Sequence, residues 1–70
     1  MYREIDARGL SCPEPVLITS QELNKMSSGT LCVRVSNVAA GENITRMAKN
    51  KGWQVEVTNA GEDIILTLRK

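Results

Sequence analysis

The sequence predicts an α+β fold, a two-layer α/β sandwich with two helices on one face of a mixed four-stranded sheet. Segments of alternating apolar residues and segments with helical spacing follow one another in the order β-α-β-α-β-β. The strands alternate instead of forming continuous apolar runs, which indicates that only one face of the sheet is covered. Each βαβ crossover should make its two strands parallel, and the final hairpin adds the antiparallel contact.

The first half of the chain predicts a strand, a loop and a helix. Residues 3–7 alternate around Ile5, residues 8–11 form the loop, and the helix covers about residues 13–26. The helical spacing predicts one buried stripe and one polar face for this helix. Ile18 is an apolar residue on the otherwise polar face, which carries Glu14, Gln21, Glu22 and Lys25. The residues predicted for the stripe and its flanks are Val16, Leu17, Ser20, Leu23, Met26 and Ser27. Gly29 follows as a natural end signal.

The second half predicts the remaining four elements. Residues 30–36 alternate clearly, with Cys32 on the face opposite the apolar side chains. Asn37 is a suitable N-cap for a helix through about residue 51. Two further alternating strands flank a hairpin connection at residues 59–62.

The amino-acid composition limits which classes of function are expected. Seventy residues with 41% hydrophobic content and a net charge of +1 predict a single domain, residues 1–70, with an aliphatic core. The near-neutral charge argues against nucleic acid or an anionic membrane as partner. The N-terminal residues lack the apolar segment of a signal peptide, so the expected location is the cytoplasm, where thiols are kept reduced. Two cysteines without histidine cannot supply a four-ligand zinc site, so we expect no metal and no other cofactor.

Residues 8–15, Arg-Gly-Leu-Ser-Cys-Pro-Glu-Pro, form the motif around which the chain is organised. Pro13 and Pro15 indicate a helix start, because proline fits the first turn of a helix. Cys12 therefore falls at or just before an exposed helix end, where the helix dipole favours the reactive thiolate. Gly9 gives the preceding loop its flexibility.

We expect the pKa of the Cys12 thiol to be lowered only moderately. The chain has no histidine, so Arg8 and the helix dipole are the available positive sources. Pro13 and Pro15 remove two first-turn N–H donors, and the negative charge of Glu14 opposes a further fall of the thiol pKa.

Other polar residues have weaker claims to a role. Cys32 is expected to be a small strand residue and not a resolving partner for Cys12, since the two cysteines are predicted on different layers. The first turns of the second helix, with Asn37, Asn43 and Arg46, form either a solvated face or the rim of the site, because both helices begin at the same end of the sheet. Glu14 and Ile18 could equally dock a partner or be ordinary surface residues.

The Cys-Pro-x-Pro motif, preceded by Asp-Ala-Arg-Gly-Leu at residues 6–10, resembles the TusA/SirA-like family of small sulfur-carrier proteins. Residues 36–46 resemble its YedF-like branch, which is linked to selenium metabolism and often carries a second domain. The sequence leaves open whether the chain is a complete small protein or the first domain of a longer one. The resemblance implies the same sandwich, with strand order 1-2-4-3.

The resemblance also implies that Cys12 accepts and relays sulfur as a persulfide. The protein would then be a sulfurtransferase-like carrier more than a stand-alone enzyme. Its partners would be a protein sulfur donor, such as a cysteine desulfurase, and a protein or enzyme acceptor. The alternative hypothesis is a non-catalytic regulatory or interaction domain, with Cys12 as a redox-sensing thiol or with an RNA-binding surface.

Overall fold

The computed structural model describes residues 2–11 and 13–70. Six elements follow one another in the chain: β1 (Tyr2–Asp6), α1 (Glu14–Lys25), β2 (Thr30–Val35), α2 (Val38–Asn50), β3 (Gln54–Ala60) and β4 (Asp63–Arg69). The strands form one sheet in the order β1-β2-β4-β3, in which β1 and β2 are parallel and the other pairs antiparallel. The predicted fold class and strand order are confirmed.

The core lies between the sheet and the two helices. Alternate side chains of β2 and β4 point into it, and the intervening ones, including Cys32, lie on the uncovered face of the sheet. Ile44 and Ala48 of α2 are fully buried against the sheet, as their helical spacing predicts. The buried hydrophobic residues are Ala7, Leu23, Met26, Leu31, Val33, Val35, Ala40, Ile44, Ala48, Trp53, Leu66 and Leu68.

The buried face of α1 differs from the predicted stripe. Pro15, Thr19 and Leu23 are buried, whereas Leu17 is 52% exposed and Ile18 packs partly against the core. The Thr19 hydroxyl donates a hydrogen bond to the Pro15 carbonyl oxygen at 2.7 Å. A threonine satisfied in this way can be buried, so its polar character misled the prediction of the stripe.

The second helix and the final hairpin form where the sequence predicts them. The Asn37 side chain accepts a hydrogen bond from the Ala40 N–H at 2.7 Å and caps α2. The hairpin turn is shorter than predicted, because β3 continues to Ala60 and only Gly61 and Glu62 separate it from β4. Gly61 has φ +66°, which suits glycine in such a tight turn. Within the described part of the chain, no helix combines the length and hydropathy that crossing a bilayer requires.

Candidate functional site

The Cys-Pro-x-Pro motif lies where the loop after β1 enters α1. Cys12 itself lies outside the described residues, but its neighbours on both sides, Ser11 and Pro13, are exposed. Pro13 occupies the N-cap position of α1 and Pro15 lies in the first turn, so the helix begins where the prolines predict. The helix start was expected to be exposed, but Pro15 is buried and its ring faces the core side of α1.

The start of α1 offers few free N–H groups. Pro13 and Pro15 have none, and the Glu14 N–H donates to the Ser11 carbonyl oxygen at 2.9 Å. The Leu17 N–H donates to the Pro13 carbonyl oxygen at 3.1 Å, and no side chain within the described residues caps the helix. An anion near this end would therefore be stabilised mainly by the helix dipole and only weakly by direct hydrogen bonds.

Arg8 does not project as a free positive charge. Its Nε donates to Asp6 Oδ1 at 2.9 Å and its Nη2 to Asp6 Oδ2 at 2.8 Å, a fork-like pair with one carboxylate. The Arg8 backbone N–H also donates to Asp6 Oδ1 at 3.1 Å. These hydrogen bonds lower the pKa of Asp6 to about 2 and raise the pKa of Arg8.

A second carboxylate reaches Arg8 from the far end of the chain. Arg8 Nη1 lies 3.2 Å from Oδ2 of Asp63, the first residue of β4, and Arg34 Nη1 lies 3.2 Å from the same oxygen. Sequence reasoning missed Asp63, which is 55 residues from Arg8. Only the strand pairing could have indicated Asp63. When β1 pairs with β2 and β2 with β4, Asp6, Arg34 and Asp63 come to lie at one end of the uncovered face.

Gly9 supports the loop through its backbone conformation. Its φ of +80° lies in the left-handed region, and a Cβ atom built there would meet nothing within 4 Å. The cost of another residue at this position is therefore conformational and not steric. The Gly9 N–H lies 3.5 Å from the Ser36 Oγ, at the beginning of the connection to α2.

The structure brings together part of the predicted rim. Asn43 and Arg46 lie with Pro13 along a groove of about 520 Å³ between the two helices, whereas Asn37 serves as the α2 cap. This groove adjoins the motif through Pro13. It is lined by Pro13, Val16, Asn43, Arg46, Met47, Asn50 and Lys51.

Cys32 lies in the middle of β2 as a half-buried free thiol on the uncovered face. The single proton of the Tyr2 hydroxyl has two acceptors within reach, Cys32 Sγ at 3.3 Å and Glu4 Oε2 at 3.2 Å. The hydrogen bond to Cys32 is the main cause that raises the pKa of Tyr2 to about 12. Over residues 2–11 and 13–70, no group of three or more His, Cys, Asp or Glu side chains could hold a metal ion.

Comparisons with known proteins identify the family and the fold. The family model of "Sulfurtransferase TusA" matches residues 3–70. A Bacillus subtilis (strain 168) protein named "Putative sulfur carrier protein YrkI" is 29% identical over 68 residues, covering 94% of this chain and 91% of that protein. The crystal structure of a SirA-like protein from Desulfitobacterium hafniense superposes with a TM-score of 0.90 at 30% identity, covering 96% of this chain and 95% of the other. The chain belongs to the TusA family.

Proposed function

We propose that this protein is a sulfur carrier that accepts sulfur from one protein and passes it to another as a persulfide on Cys12. The observation that supports this most is the family match over residues 3–70, which spans the whole Cys-Pro-x-Pro motif. The Bacillus subtilis relative, which matches over 91% of its length, is named "Putative sulfur carrier protein YrkI". The carrier role needs neither a metal nor an organic cofactor.

The proposed chemistry is thiol–persulfide exchange. The Cys12 thiolate attacks the outer sulfur of the donor's persulfide, a new sulfur–sulfur bond forms on Cys12, and the donor's inner sulfur leaves as a thiolate. Delivery repeats the same step with the acceptor's thiolate as nucleophile. Bonds and charges balance in both steps, and no external oxidant or reductant is consumed.

The surroundings of the motif fit a carrier that must both load and release. The exposure of Ser11 and Pro13 leaves room for a partner's cysteine to approach. The start of α1 stabilises a thiolate through its dipole with few direct hydrogen bonds, and the Arg8 charge is shared with Asp6 and Asp63. Moderate activation is favourable here, since a very stable thiolate is a weaker nucleophile.

The proposed partners are a protein sulfur donor, such as a cysteine desulfurase, and a protein or enzyme acceptor. The groove beside Pro13 gives them a concave surface next to the motif, with Arg46 and Asn43 on its wall. The proposed location is the cytoplasm, where a free thiol such as that of Cys32 stays reduced.

The resemblance of residues 36–46 to the YedF-like branch extends the proposal to selenium. Selenium would be carried on the same Cys12 by the same exchange, with selenium as the outer atom. Offering the protein sulfur and selenium donors in separate reactions distinguishes the two by the mass that the protein gains.

The proposal is tested by intact mass after incubation with a cysteine desulfurase and cysteine. We expect the wild-type protein to gain the mass of one sulfur atom, which a reducing agent removes. Cys12→Ser should abolish the gain, and Cys32→Ser should leave it unchanged because Cys32 lies half-buried in mid-strand beneath the Tyr2 hydroxyl. A gain that persists in Cys12→Ser and disappears in Cys32→Ser would overturn the assignment.

A further inference from the structure

The Asp63 carboxylate ties the motif loop to a distant strand. Arg8 belongs to the loop between β1 and α1, and its Nη1 reaches Asp63 Oδ2 at the start of β4. The same oxygen accepts from Arg34 Nη1 of β2, also at 3.2 Å. One carboxylate oxygen therefore joins the loop to two strands of the sheet.

The position of Asp63 is well fixed by its place in the hairpin. Its backbone pairs with Ala60 directly beside the two-residue turn, so the hairpin fixes where its side chain starts. The Asp63 side chain is 23% exposed, whereas that of Asp6, the other partner of Arg8, is 58% exposed. Asp6 lies in the same strand that leads into the loop, so among the described residues only Asp63 links the Arg8 side chain to another part of the sheet.

The start of the loop is also paired with the sheet, since the Ala7 N–H donates to the Arg34 carbonyl oxygen at 2.8 Å. Beyond Arg8, the described hydrogen bonds of the loop are longer or local. The Gly9 N–H lies 3.5 Å from Ser36 Oγ, and the Leu10 N–H lies 3.4 Å from the Ala7 carbonyl oxygen, both beyond the usual hydrogen-bond distance. Partly exposed ion pairs contribute little to global stability. The value of the Arg8–Asp63 contact therefore lies in where it holds the loop and in the charge that it balances.

We propose that Asp63 is a positioning residue of the sulfur site, which holds Arg8 against the sheet and keeps the charge beside the motif balanced. The proposal rests on the proposed function for its biological meaning. The cluster contains two guanidinium groups, from Arg8 and Arg34, and two carboxylates, from Asp6 and Asp63, so its net charge is zero. Removing the Asp63 charge would leave one uncompensated positive charge on the loop and β2.

The chain keeps the backbones of Arg8 and Cys12 close to each other. Arg8 and Cys12 are four positions apart in the sequence, so their Cα atoms are at most about 14 Å apart. A unit charge at this distance in water changes a thiol pKa by roughly 0.2 unit, and by more if it is nearer. Low ionic strength keeps the effect visible, because the screening length at 0.01 M salt is about 30 Å. The negative charge of Glu14 acts on the thiol in every variant alike.

The test is the rate of Cys12 alkylation by iodoacetamide against pH, at low salt, in the Cys32→Ser background. Without further substitution, the midpoint is expected below the ordinary cysteine value of ~8.5 and above ~3.5, the lowest value known at helix starts. Asp63→Asn should lower it by about 0.2 to 0.5 unit, and high salt should remove the shift. Asp63→Glu, which keeps the charge, should lie close to the midpoint of the Cys32→Ser background.

Glu56→Gln is the matched control. Glu56 is also a carboxylate on the uncovered face paired with an arginine, with its Oε2 3.8 Å from Arg69 Nη1, and it belongs to edge strand β3 away from the loop. Its removal changes the net charge of the protein by the same amount. We expect it to leave the alkylation midpoint unchanged.

Arg8→Gln gives a second, opposite measurement. It leaves one uncompensated negative charge in the cluster, so the Cys12 midpoint should rise, and Asp63→Asn added to it should bring the midpoint back. Equal midpoints for Asp63→Asn and Glu56→Gln, or a shift that Asp63→Glu does not reverse, would overturn the proposal. Alkylation does not require sulfur loading, so failure of the carrier function would appear separately, as the absence of loading in the mass experiment.

Discussion

At the scale of single residues, the motif is surrounded by groups that share their charges. Arg8 could have been a free cation near the thiol, but Asp6 holds it by a fork-like pair and Asp63 by a further contact. In the proposed site, the helix start with its two prolines would then be the main source of thiolate stabilisation. Under the proposed function, this division of charge would let a chain without histidine hold a reactive cysteine that is not trapped as a stable anion.

The pairing of Asp6 predicts a titration that can be observed directly. Hydrogen bonds from Arg8 lower its pKa from the ordinary 3.8 to about 2 in the folded protein. Because the folded pKa is the lower one, the stabilisation is present above pH 4 and is lost as the pH falls through about 2. An NMR titration of the Asp6 carboxyl carbon should give this midpoint.

Arg8→Gln is the control for that titration, and it should return the Asp6 midpoint most of the way to its ordinary value. A wild-type midpoint near 3.8 would show that the Arg8–Asp6 pair is not formed in solution.

At the scale of elements, α1 presents the motif and packs against the sheet through the same first turn. Pro15 belongs to the Cys-Pro-x-Pro motif, yet its ring is buried beneath the helix and its carbonyl oxygen accepts the Thr19 hydroxyl. The entry angle of α1 is therefore set by packing as well as by the fixed φ of proline. A change at Pro15 should affect both stability and chemistry.

We expect Pro15→Ala to lower the free energy of unfolding by about 1–2 kcal/mol, through lost burial of the ring and a less restricted unfolded chain. It also adds an N–H donor to the first turn, so the Cys12 pKa should fall. Sulfur delivery should slow more than loading, since delivery depends on the geometry presented to the acceptor. Urea unfolding, alkylation against pH, and separate loading and transfer rates measure these effects.

Pro13→Ala is the partner variant, because Pro13 is exposed at the N-cap and its loss should cost little stability. If Pro15→Ala keeps the wild-type stability, pKa and rates, then the second proline only marks the helix start.

At the scale of the whole molecule, most of the architecture could be predicted from the sequence. The alternation of apolar and polar residues predicted which side chains of β2 and β4 face the core. Turn and cap residues such as Asn37 marked where one element ends and the next begins. The buried face of α1 could not be predicted, because a threonine that bonds its own helix behaves as a core residue. Asp63 was missed because its role depends on the register of strands far apart in the chain.

The placement of the elements around the candidate site could also be predicted in part. The proline-marked start of α1 followed from local rules, and the approach of Asn43 and Arg46 to Pro13 followed from two helices beginning at one end of the sheet. The sequence suggested Asn37 both as a helix cap and as a rim residue, and the structure places it as the cap. The uncovered face, where Tyr2 meets Cys32, lies on the other side of the sheet from both helices.

The central claim is that the sulfur on Cys12 is passed on, and transfer between two copies of the protein tests it most directly. Wild-type protein is loaded with sulfur, separated from the desulfurase, and mixed with an isotopically heavy copy, so that intact mass reports donor and acceptor at once. We predict that the heavy wild-type and heavy Cys32→Ser copies gain one sulfur atom as the light protein loses it, and that heavy Cys12→Ser gains none. A loaded protein that keeps its sulfur, or a heavy Cys12→Ser copy that accepts it, would contradict the account.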